Sequence, residues 1–522
     1  MPARSPLRDR TYRTLWIAQL ASAVGSWMQA VGAQWSLVHG PGAATWVSLV
    51  QAASLLPVLF VSLPAGVLAD IIDRRRLLLG VQGAMTLLAA ALAAMTATGR
   101  TTPALLVTLT FLLGCGQAVG NPAWQAIQPE LVDREQIPAA AALGSLSVNV
   151  ARAVGPALAG ALLAFTSTWV LFAVNAASFT GVFFALLVWR RPSEEPHRAE
   201  ALRPALFTAA RYVRHAPGIR RILLRATLFV FPASALWALL PVVASGRLGL
   251  SAGGYGLLLG ALGVGAVLGA LAMGRLRGKL TSSQLLVTAG LVFACGMLGA
   301  ALASNAAAVV VLMVPTGTGW LVTLSTLNTS MQLSLPDWVR ARGLAVYLIV
   351  FLGGQGVGSL LWGVLAGAVG TVGVLSLTAG LLVLGTLTVP LLPLLPGTGS
   401  LDRTVAADWP EPALVFEPPR TAAPVLVEIE YRVPAENVEA YLRAAHRLGV
   451  SRRRTGAVRW GVFRDGADPQ AFHEVFEVAS WDEHLRQHRG RTTAFDQGLL
   501  DSVRAMCSRE PVVRHLLPAD QP

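Results

Sequence analysis

Charged residues are scarce in this chain. Only 13% of its 522 residues are Asp, Glu, Lys or Arg, whereas 54% are hydrophobic and the mean hydropathy is +0.57. An ordinary soluble domain carries about 25% charged residues. The composition therefore excludes a typical soluble protein and indicates a polytopic membrane protein.

Cysteine is also scarce. The three cysteines, Cys115, Cys295 and Cys507, are far apart in the sequence. This spacing suggests neither a disulfide framework nor a metal site. A cleavable signal peptide is not expected either, because an Arg-rich N-terminus leads directly into a long apolar run.

Acidic residues are missing from the apolar runs. No Asp or Glu lies deep within any span predicted below, and Asp70, Glu130 and Asp133 lie only near the predicted inner edge of the membrane. Membrane proteins that couple to protons usually titrate a carboxylate within the membrane. The residues themselves therefore give little support for a coupling proton.

Basic residues outnumber acidic ones, 41 to 28, which gives a formal net charge of +13. Such a balance is compatible with a nucleic-acid partner. In a membrane protein it is explained more simply by cytoplasmic loops that obey the positive-inside rule. We therefore predict no nucleic-acid partner.

Apolar runs long enough to cross a bilayer, roughly 17–25 residues each, recur along most of the chain. Twelve are predicted, at 14–38, 45–69, 76–98, 103–126, 139–165, 168–189, 222–245, 252–274, 282–303, 306–331, 341–368 and 370–395. The connections between them alternate between Arg-rich and Arg-poor. This alternation predicts a multi-pass protein of the inner or plasma membrane with both termini in the cytoplasm.

The two sets of six spans are related in sequence. Gly269–Ala272, followed by Arg275, comes after the eighth span just as Gly66–Ala69, followed by Arg74, comes after the second. Such duplication is typical of secondary transporters. The predicted fold is an all-α polytopic membrane protein with twelve transmembrane helices in two pseudo-symmetric six-helix halves, plus a small C-terminal α+β ferredoxin-like domain. The predicted boundaries are 1–190 and 219–396 for the halves, 191–218 for a cytoplasmic linker with an amphipathic helix, 397–424 for a second linker and 425–517 for the soluble domain.

A short charged loop joins the second and third spans. It resembles the signature loop of the major facilitator superfamily in Gly66, Leu68, Ala69, Asp70, Arg74 and Arg75. Ile71 and Asp73 depart from the family pattern. The resemblance implies that Gly66, Asp70, Arg74 and Arg75 form a gating loop. We expect Asp70 to lie against the cytoplasmic start of the eleventh span, 337–342, and to steady the outward-facing state.

The fifth span carries an unusual basic residue and a predicted kink. Gly155 and Pro156 are expected to bend the helix, because proline removes a backbone hydrogen bond. The pair resembles the Gly-Pro signature of drug and metabolite exporters, although a purely structural kink is an alternative. Arg152 lies near mid-span, where an unpaired guanidinium is costly. It is predicted either to contact an anionic part of the substrate or to take part in gating, with a buried structural ion pair as the other reading.

Polar and aromatic side chains within the spans are candidates for a substrate cavity. The predicted set is Gln29, Asn121, Trp124, Gln125, Asn149, Arg152, Asn328 and Gln355. Amides within spans also join helices to one another, which would account for part of this set.

The C-terminal region has the pattern strand-helix-strand-strand-helix-strand from Val425 onward, which is the ferredoxin-like order. It resembles the small domains related to antibiotic-biosynthesis monooxygenases. His484 and His488 have the spacing of two metal ligands on a helix, but no Cys or carboxylate cluster completes a site. The predicted role is self-association or regulation, with no metal and no cofactor.

The combination of these features resembles the enterobactin-exporter-like branch of the superfamily. Ser26–Gln29 and Ser480–His488 contribute to that resemblance. It implies a secondary active transporter, not an enzyme, that exports a siderophore, drug or other metabolite across the lipid bilayer by alternating access, and a coupling proton is implied only in this way. The alternatives are an importer of the same fold and a membrane-tethered enzyme that acts through its C-terminal domain.

Overall fold

The computed structural model describes residues 5–189, 210–394, 418–419 and 422–518. The chain divides into two compact units. The first, the helical unit, comprises the described parts of Met1–Ala199, Arg225–Leu327 and Leu348–Pro393. The second, the C-terminal unit, comprises those of Glu200–Leu224, Asn328–Tyr347 and Leu394–Pro522. Most residues of the two predicted linkers, 191–218 and 397–424, lie outside the described part of the chain. Within the first linker, residues 210–215 are described and are helical.

Long apolar helices account for most of the described residues up to residue 387. In chain order they are α1 (Arg10–Trp35), α2 (Ala43–Leu55), α3 (Pro57–Ile71), α4 (Arg74–Ala97), α5 (Pro103–Ile127), α6 (Ile137–Leu163), α7 (Thr168–Val188), α8 (Pro217–Val242), α9 (Ala252–Lys279), α10 (Ser282–Leu302), α11 (Ala306–Ser334) and α12 (Asp337–Leu387).

Among the described residues, ten helical segments are long and apolar enough to cross a membrane. One of them, Trp338–Leu387, covers two predicted spans, because Gly370 (φ +79°) interrupts the helix with a conformation that glycine adopts easily. Another joins α2 to the start of α3. The helix α1 fills the first predicted span but is not among the ten. Every predicted span is thus helical, and the predicted fold class is confirmed.

Side-chain caps fix where several helices begin. Asp9 accepts a hydrogen bond from the backbone N–H of Tyr12 (2.7 Å), and Asp73 accepts one from Arg76 (2.9 Å). Such bonds satisfy the free N–H groups of a helix's first turn. Asp73, which departs from the family pattern in sequence, therefore serves as the N-cap of α4.

Glycines allow the two halves of the helical unit to approach closely. A Cβ at Gly160 of α6 would lie 2.7 Å from the Cα of Gly256 in α9, and a Cβ at Gly356 of α12 would lie 2.9 Å from Leu56, between α2 and α3. Small residues permit this backbone proximity between membrane helices. The second span thus contacts the eleventh, and the fifth span contacts the eighth. This is the relationship expected of two pseudo-symmetric halves.

The C-terminal unit contains a four-stranded antiparallel sheet in the order β2-β3-β1-β4. Its elements are β1 (Val425–Arg432), α13 (Val438–Thr455), β2 (Ala457–Arg464), β3 (Ala471–Val478), α14 (Trp481–Arg486), α15 (Ala494–Arg504) and β4 (Val512–Leu516). Alternate residues of β1 are buried, as the period of a half-buried strand requires. The predicted strand-helix order is confirmed.

A buried polar network lies within this sheet. The carboxylate of Glu474 pairs with Arg452 (3.2 Å) and accepts hydrogen bonds from the Tyr431 hydroxyl (2.8 Å) and the Trp460 indole (2.8 Å). Burial, and next the charge of Glu474, raise the pKa of Tyr431 well above its usual range. The tyrosine therefore stays protonated and acts as a donor to the carboxylate.

Candidate functional site

A cavity of about 430 Å³ lies within the N-terminal half of the helical unit. This volume is in the range of small-molecule sites, about 300–1,000 Å³. Its polar lining consists mainly of amides, and its aromatic lining of three rings. These side chains are Gln19, Gln51, Gln82, Gln117 and Asn121, with Trp27, Trp124 and Phe179. The lining contains no ionisable side chain among the described residues.

Gln82 is the polar residue with the clearest unmet hydrogen-bonding capacity in this cavity. The side chain is 8% exposed, and its Oε1 atom has no hydrogen-bond partner among the described residues. It lies on the face of α4 that also presents Leu78, Val81 and Met85 to the cavity, as helical periodicity requires. A buried acceptor without a partner is costly. Gln82 is therefore well placed to receive a hydrogen bond from a bound solute.

Other amides are already paired with one another. Asn175 donates to Gln29 Oε1 (2.6 Å), and Gln34 donates to Gln51 Oε1 (2.7 Å). The Tyr255 hydroxyl donates to Gln34 Oε1 (2.6 Å). Gln29 lines only a smaller void beside the main cavity. Its observed contact joins α1 to α7, which is the helix-joining role that the sequence left open.

Arg152 packs against aromatic rings where the two halves meet. Its guanidinium carbon is 5.8 Å from the centre of the Trp27 ring. Trp27 is in turn near Trp237 (6.4 Å between ring centres), which packs edge-on against Trp320 (5.3 Å). A guanidinium over an indole is stabilised by the ring quadrupole. No ion pair joins Arg152 to a carboxylate in the part of the chain that is described.

One end of the helical unit is closed by contacts between its halves, and we call it the closed end. The rings of Trp35 and Tyr255 stack at 5.7 Å, and the Ser245 hydroxyl lies 3.2 Å from His39 Nε2. The Gly160–Gly256 contact lies at the same end. These contacts pack the two halves together at this end.

The opposite end carries arginines, and we call it the Arg-rich end. Arg74 pairs with Glu130 at the end of α5 (2.5 Å). Arg75 donates to the carbonyls of Leu186 and Leu187 (2.9 and 2.8 Å). A cation here satisfies the last carbonyls of α7 and complements the helix dipole. The cavity residues of α4 and α5, 78–85 and 116–124, lie in the halves of those helices that lead to this end.

The remaining predicted site residues are scattered. Asn121 and Trp124 line the cavity, whereas Gln125 is exposed and is not in its lining. Asn149 is half-buried in α6, and Gln355 is buried in α12. Asn328 accepts a hydrogen bond from Gln332 (3.3 Å). The surroundings of two gating-loop residues, Gly66 and Asp70, lie outside the described part, so the expected position of Asp70 stays a prediction.

The helix α6 runs through Gly155 and Pro156 without a break. A Cβ at Gly155 would lie 2.6 Å from Cβ of Trp27. This glycine therefore sets the close approach of α6 to α1, and so holds Arg152 near Trp27. Pro156 contributes to the small void that Arg152 lines.

Sequence analysis missed one buried arginine. Arg225 is 5% exposed and donates to the Thr388 hydroxyl (2.7 Å) and to the carbonyls of Gly385, Thr388 and Leu392 (3.0, 2.6 and 2.7 Å). It satisfies the carbonyls at the end of α12, as Arg75 does for α7. The sequence did contain a signal, because Arg225 is a charged residue inside the span predicted at 222–245.

Comparison with known proteins identifies the family. The sequence profile described as transmembrane secretion effector matches residues 2–522. The chain is similar to the staphyloferrin A transporter of Staphylococcus aureus (28% identity over 222 residues, 42% of this chain and 56% of that protein). It is also similar to macrolide efflux protein A of Streptococcus pyogenes (26% over 241 residues, 44% and 58%). The chain thus spans little more than half the length of these relatives.

Solved structures show the same fold. An inward-facing, unoccupied bacterial homologue of the human lysosomal transporter Spinster has a TM-score of 0.60 at 16% identity, covering 74% of this chain and 96% of that one. The nucleoside transporter NupG has a TM-score of 0.53 at 15% identity, covering 74% and 99%. The chain belongs to the transmembrane secretion effector family, within the major facilitator superfamily of transporters.

Proposed function

We propose that the protein exports a small molecule across the cell membrane by alternating access, and that this structure corresponds to the state open to the cytoplasm. The observation that carries the proposal is the amide- and aromatic-lined cavity of about 430 Å³. Its α4 and α5 residues lie toward the Arg-rich end, while contacts between the two halves close the other end. A site that is accessible from one side at a time is what alternating access requires.

The orientation follows from charge. Loops rich in Lys and Arg stay on the cytoplasmic side of a membrane. The positions of Arg74, Arg75, Arg275 and Arg277 therefore support a cytoplasmic location for the Arg-rich end. Both chain termini would then lie in the cytoplasm. Substrate would enter the cavity from the cytoplasm.

The cavity favours a solute that is uncharged where it is bound. Its amides offer both donors and acceptors, and Trp27, Trp124 and Phe179 offer faces for apolar groups. Two relatives, a staphyloferrin A transporter and a macrolide efflux protein, make siderophores and drugs the classes to test first. Membership of the enterobactin-exporter-like branch is likewise a proposal.

Export rather than import is the finer part of the proposal. It is supported by the efflux relatives and by the Gly155–Pro156 pair, which resembles the exporter signature. We assign the four-stranded sheet a regulatory or self-association role, which is supported by the contacts of Glu483 with Arg211 and of Arg491 with Trp338. A tethered enzyme is the alternative.

The experiment is uptake into inside-out membrane vesicles from cells that express the protein. The panel begins with labelled staphyloferrin A and a labelled macrolide. Gln82→Leu removes one hydrogen bond of about 1–1.5 kcal/mol, so it is expected to lower kcat/KM about 5- to 10-fold. Gln332→Leu makes the same change on an exposed face of α11 and should leave transport unaltered.

Energised accumulation in these vesicles that falls with Gln82→Leu supports export through this cavity. Accumulation only in right-side-out vesicles would show import. Equal transport by the Gln82→Leu and Gln332→Leu variants would show that the solute does not use the cavity described above.

A further inference from the structure

Three histidines converge in the C-terminal unit. His484, His488 and His515 each offer one ring nitrogen, and these three atoms lie within 4.8 Å of one another. Nε2 of His488 is 3.2 Å from Nε2 of His484, and the ring centres of His484 and His515 are 4.9 Å apart. The cluster lies outside the helical unit and is independent of the transport cavity.

Three different elements bring the imidazoles together. His484 lies in α14, and His488 lies in the π-helical turn Gln487–Arg491 that follows it. Local π-helical turns are frequent at functional sites. His515 comes from β4, where it is paired with Val427 of β1. Pairing of β4 with β1 thus delivers a third imidazole that is 27 or more residues from the other two in sequence.

The surroundings prepare the rings to act as ligands. Gln487 Oε1 lies 3.0 Å from Nδ1 of His484. An amide oxygen only accepts, so Nδ1 carries the proton and the lone pair of Nε2, 3.2 Å from Nε2 of His488, is left to act as an acceptor or ligand. An orienting partner on the second nitrogen is the usual companion of a metal-bound histidine. Trp481 packs against His484 and His515 (5.4 and 5.9 Å between ring centres) and forms the apolar wall.

Burial, followed by the neighbouring His488, lowers the pKa of His484 to about 3. Burial also lowers the pKa of His515.

The distances fit a first-row transition metal. Zinc–nitrogen bonds of about 2.0–2.1 Å in a tetrahedron place two ligand nitrogens about 3.3–3.4 Å apart, close to the 3.2 Å between His484 and His488. Metal binding would draw in the His515 nitrogen, which lies within 4.8 Å of the other two. Imidazole ligands suit zinc, copper and nickel, and do not suit magnesium or calcium.

We propose that His484, His488 and His515 form a binding site for a divalent transition-metal ion, represented by Zn²⁺, with three imidazole ligands and a fourth position open to solvent or to a further ligand. Bound metal would join β4 to α14 and so hold the last strand of the sheet in place. It would also order the segment that contains Glu483 and Arg491.

The test uses the full-length chain in detergent, carrying an affinity tag without histidines and stripped with a chelator. Zn²⁺ is titrated by calorimetry and by competition with a chromophoric chelator. One Zn²⁺ per chain is expected for the unaltered protein. His488→Ala and His515→Ala should each weaken binding at least tenfold, while His446→Ala, an exposed histidine of α13, should bind as the unaltered chain does.

Two further measurements separate ligand loss from misfolding. Co²⁺ in place of Zn²⁺ should give the visible absorption of a four-coordinate site, and His515→Gln, which retains bulk on β4, should abolish it. Amide exchange at 512–516 should slow when Zn²⁺ is added. Absence of stoichiometric Zn²⁺ binding, or His488→Ala and His515→Ala chains that bind as tightly as His446→Ala, would overturn the proposal.

Discussion

Glu483 lies between two arginines in the C-terminal unit. It pairs with Arg491 (2.5 Å) and with Arg211 (2.7 Å), a residue of the helical segment 210–215. Arg491 also stacks over Trp338, in the first turn of α12, at 5.0 Å from the ring centre. Glu483 therefore joins α14 directly to the helical segment 210–215. Through Arg491 it is also linked to the first turn of α12.

Glu483→Gln is expected to loosen this attachment. The carboxylate is half-buried, and although burial alone would raise its pKa, Arg491 and Arg211 hold that pKa below its usual range. Charged hydrogen bonds of this kind contribute about 1.5–3 kcal/mol. Amide exchange over 210–215 should therefore accelerate by one to two orders of magnitude.

Asp482→Asn is the matched control for that change. Among the described residues, Asp482 pairs with Arg486 on the same helix, and both side chains are well exposed. Such pairs contribute little, so exchange over 210–215 should stay as in the unaltered chain. Equal effects of Glu483→Gln and Asp482→Asn would contradict the attachment.

Gly256→Ala is expected to prevent the closed end from forming. The new Cβ would lie 2.7 Å from Cα of Gly160 and 3.0 Å from the Pro156 carbonyl, which are backbone atoms that cannot move aside cheaply. The variant should favour the state in which the two halves separate at this end, and transport should fall at least tenfold. Distances between spin labels on α6 and α9 at that end would increase.

Gly260→Ala provides the comparison for Gly256→Ala. It adds the same methyl group one turn further along α9, where the nearest atom, Cβ of Ala157, would be at 3.8 Å, an ordinary contact. Transport and label distances should be unchanged. Impaired transport with Gly260→Ala as well would mean that the effect comes from altering α9 in general.

The buried pair Arg452–Glu474 should dominate the stability of the sheet. Both side chains are at most 4% exposed. Glu474→Ala removes the carboxylate that pairs with the buried guanidinium of Arg452, and such a loss costs about 3–5 kcal/mol. The double change Arg452→Met with Glu474→Leu should cost less than Glu474→Ala alone. Amide exchange of β1 and β3 measures the stability of each variant. A double variant that loses as much stability as the two single changes together would contradict this account.

Acid should weaken the same unit through Asp496. Burial alone would raise its pKa, but Arg454, Ser451 and Thr493 hold the pKa of Asp496 below its usual range. A lowered folded-state pKa contributes stability that is fully present above the unfolded value of about 3.9. That stability is lost as pH falls below about 4. Asp496→Asn should be less stable at pH 7 and should show a smaller loss as the pH is lowered from about 4 to about 2.

Sequence reasoning identified features that depend on local chemistry. Each predicted span is helical, because long apolar runs leave the backbone few alternatives in a bilayer. The βαββαβ order followed from period-2 alternation such as that of Val425–Arg432. Asn121 and Trp124 of α5 line the cavity, whereas Gln125, one position further, is not in its lining. The phase of the helix accounts for this difference.

Features that depend on contacts between distant residues were not accessible in this way. Gln82 could not be selected among many amides, since its importance comes from an acceptor that lacks a partner among the described residues. Gln29, a cavity candidate, accepts a hydrogen bond from Asn175, and the sequence does not indicate this partner. His515 stood alone on a strand, and only the pairing of β4 with β1 places it beside His484 and His488. One sequence contains no record of which helix faces meet.

The most direct test of the account is the side from which the cavity can be reached. Asn121→Cys, in a chain whose three native cysteines are replaced by Ser, would be treated with a membrane-impermeant maleimide at low temperature without substrate. The account predicts labelling in inside-out vesicles and little in intact cells, with the reverse for His39→Cys at the closed end. Labelling of Asn121→Cys from intact cells alone would contradict it.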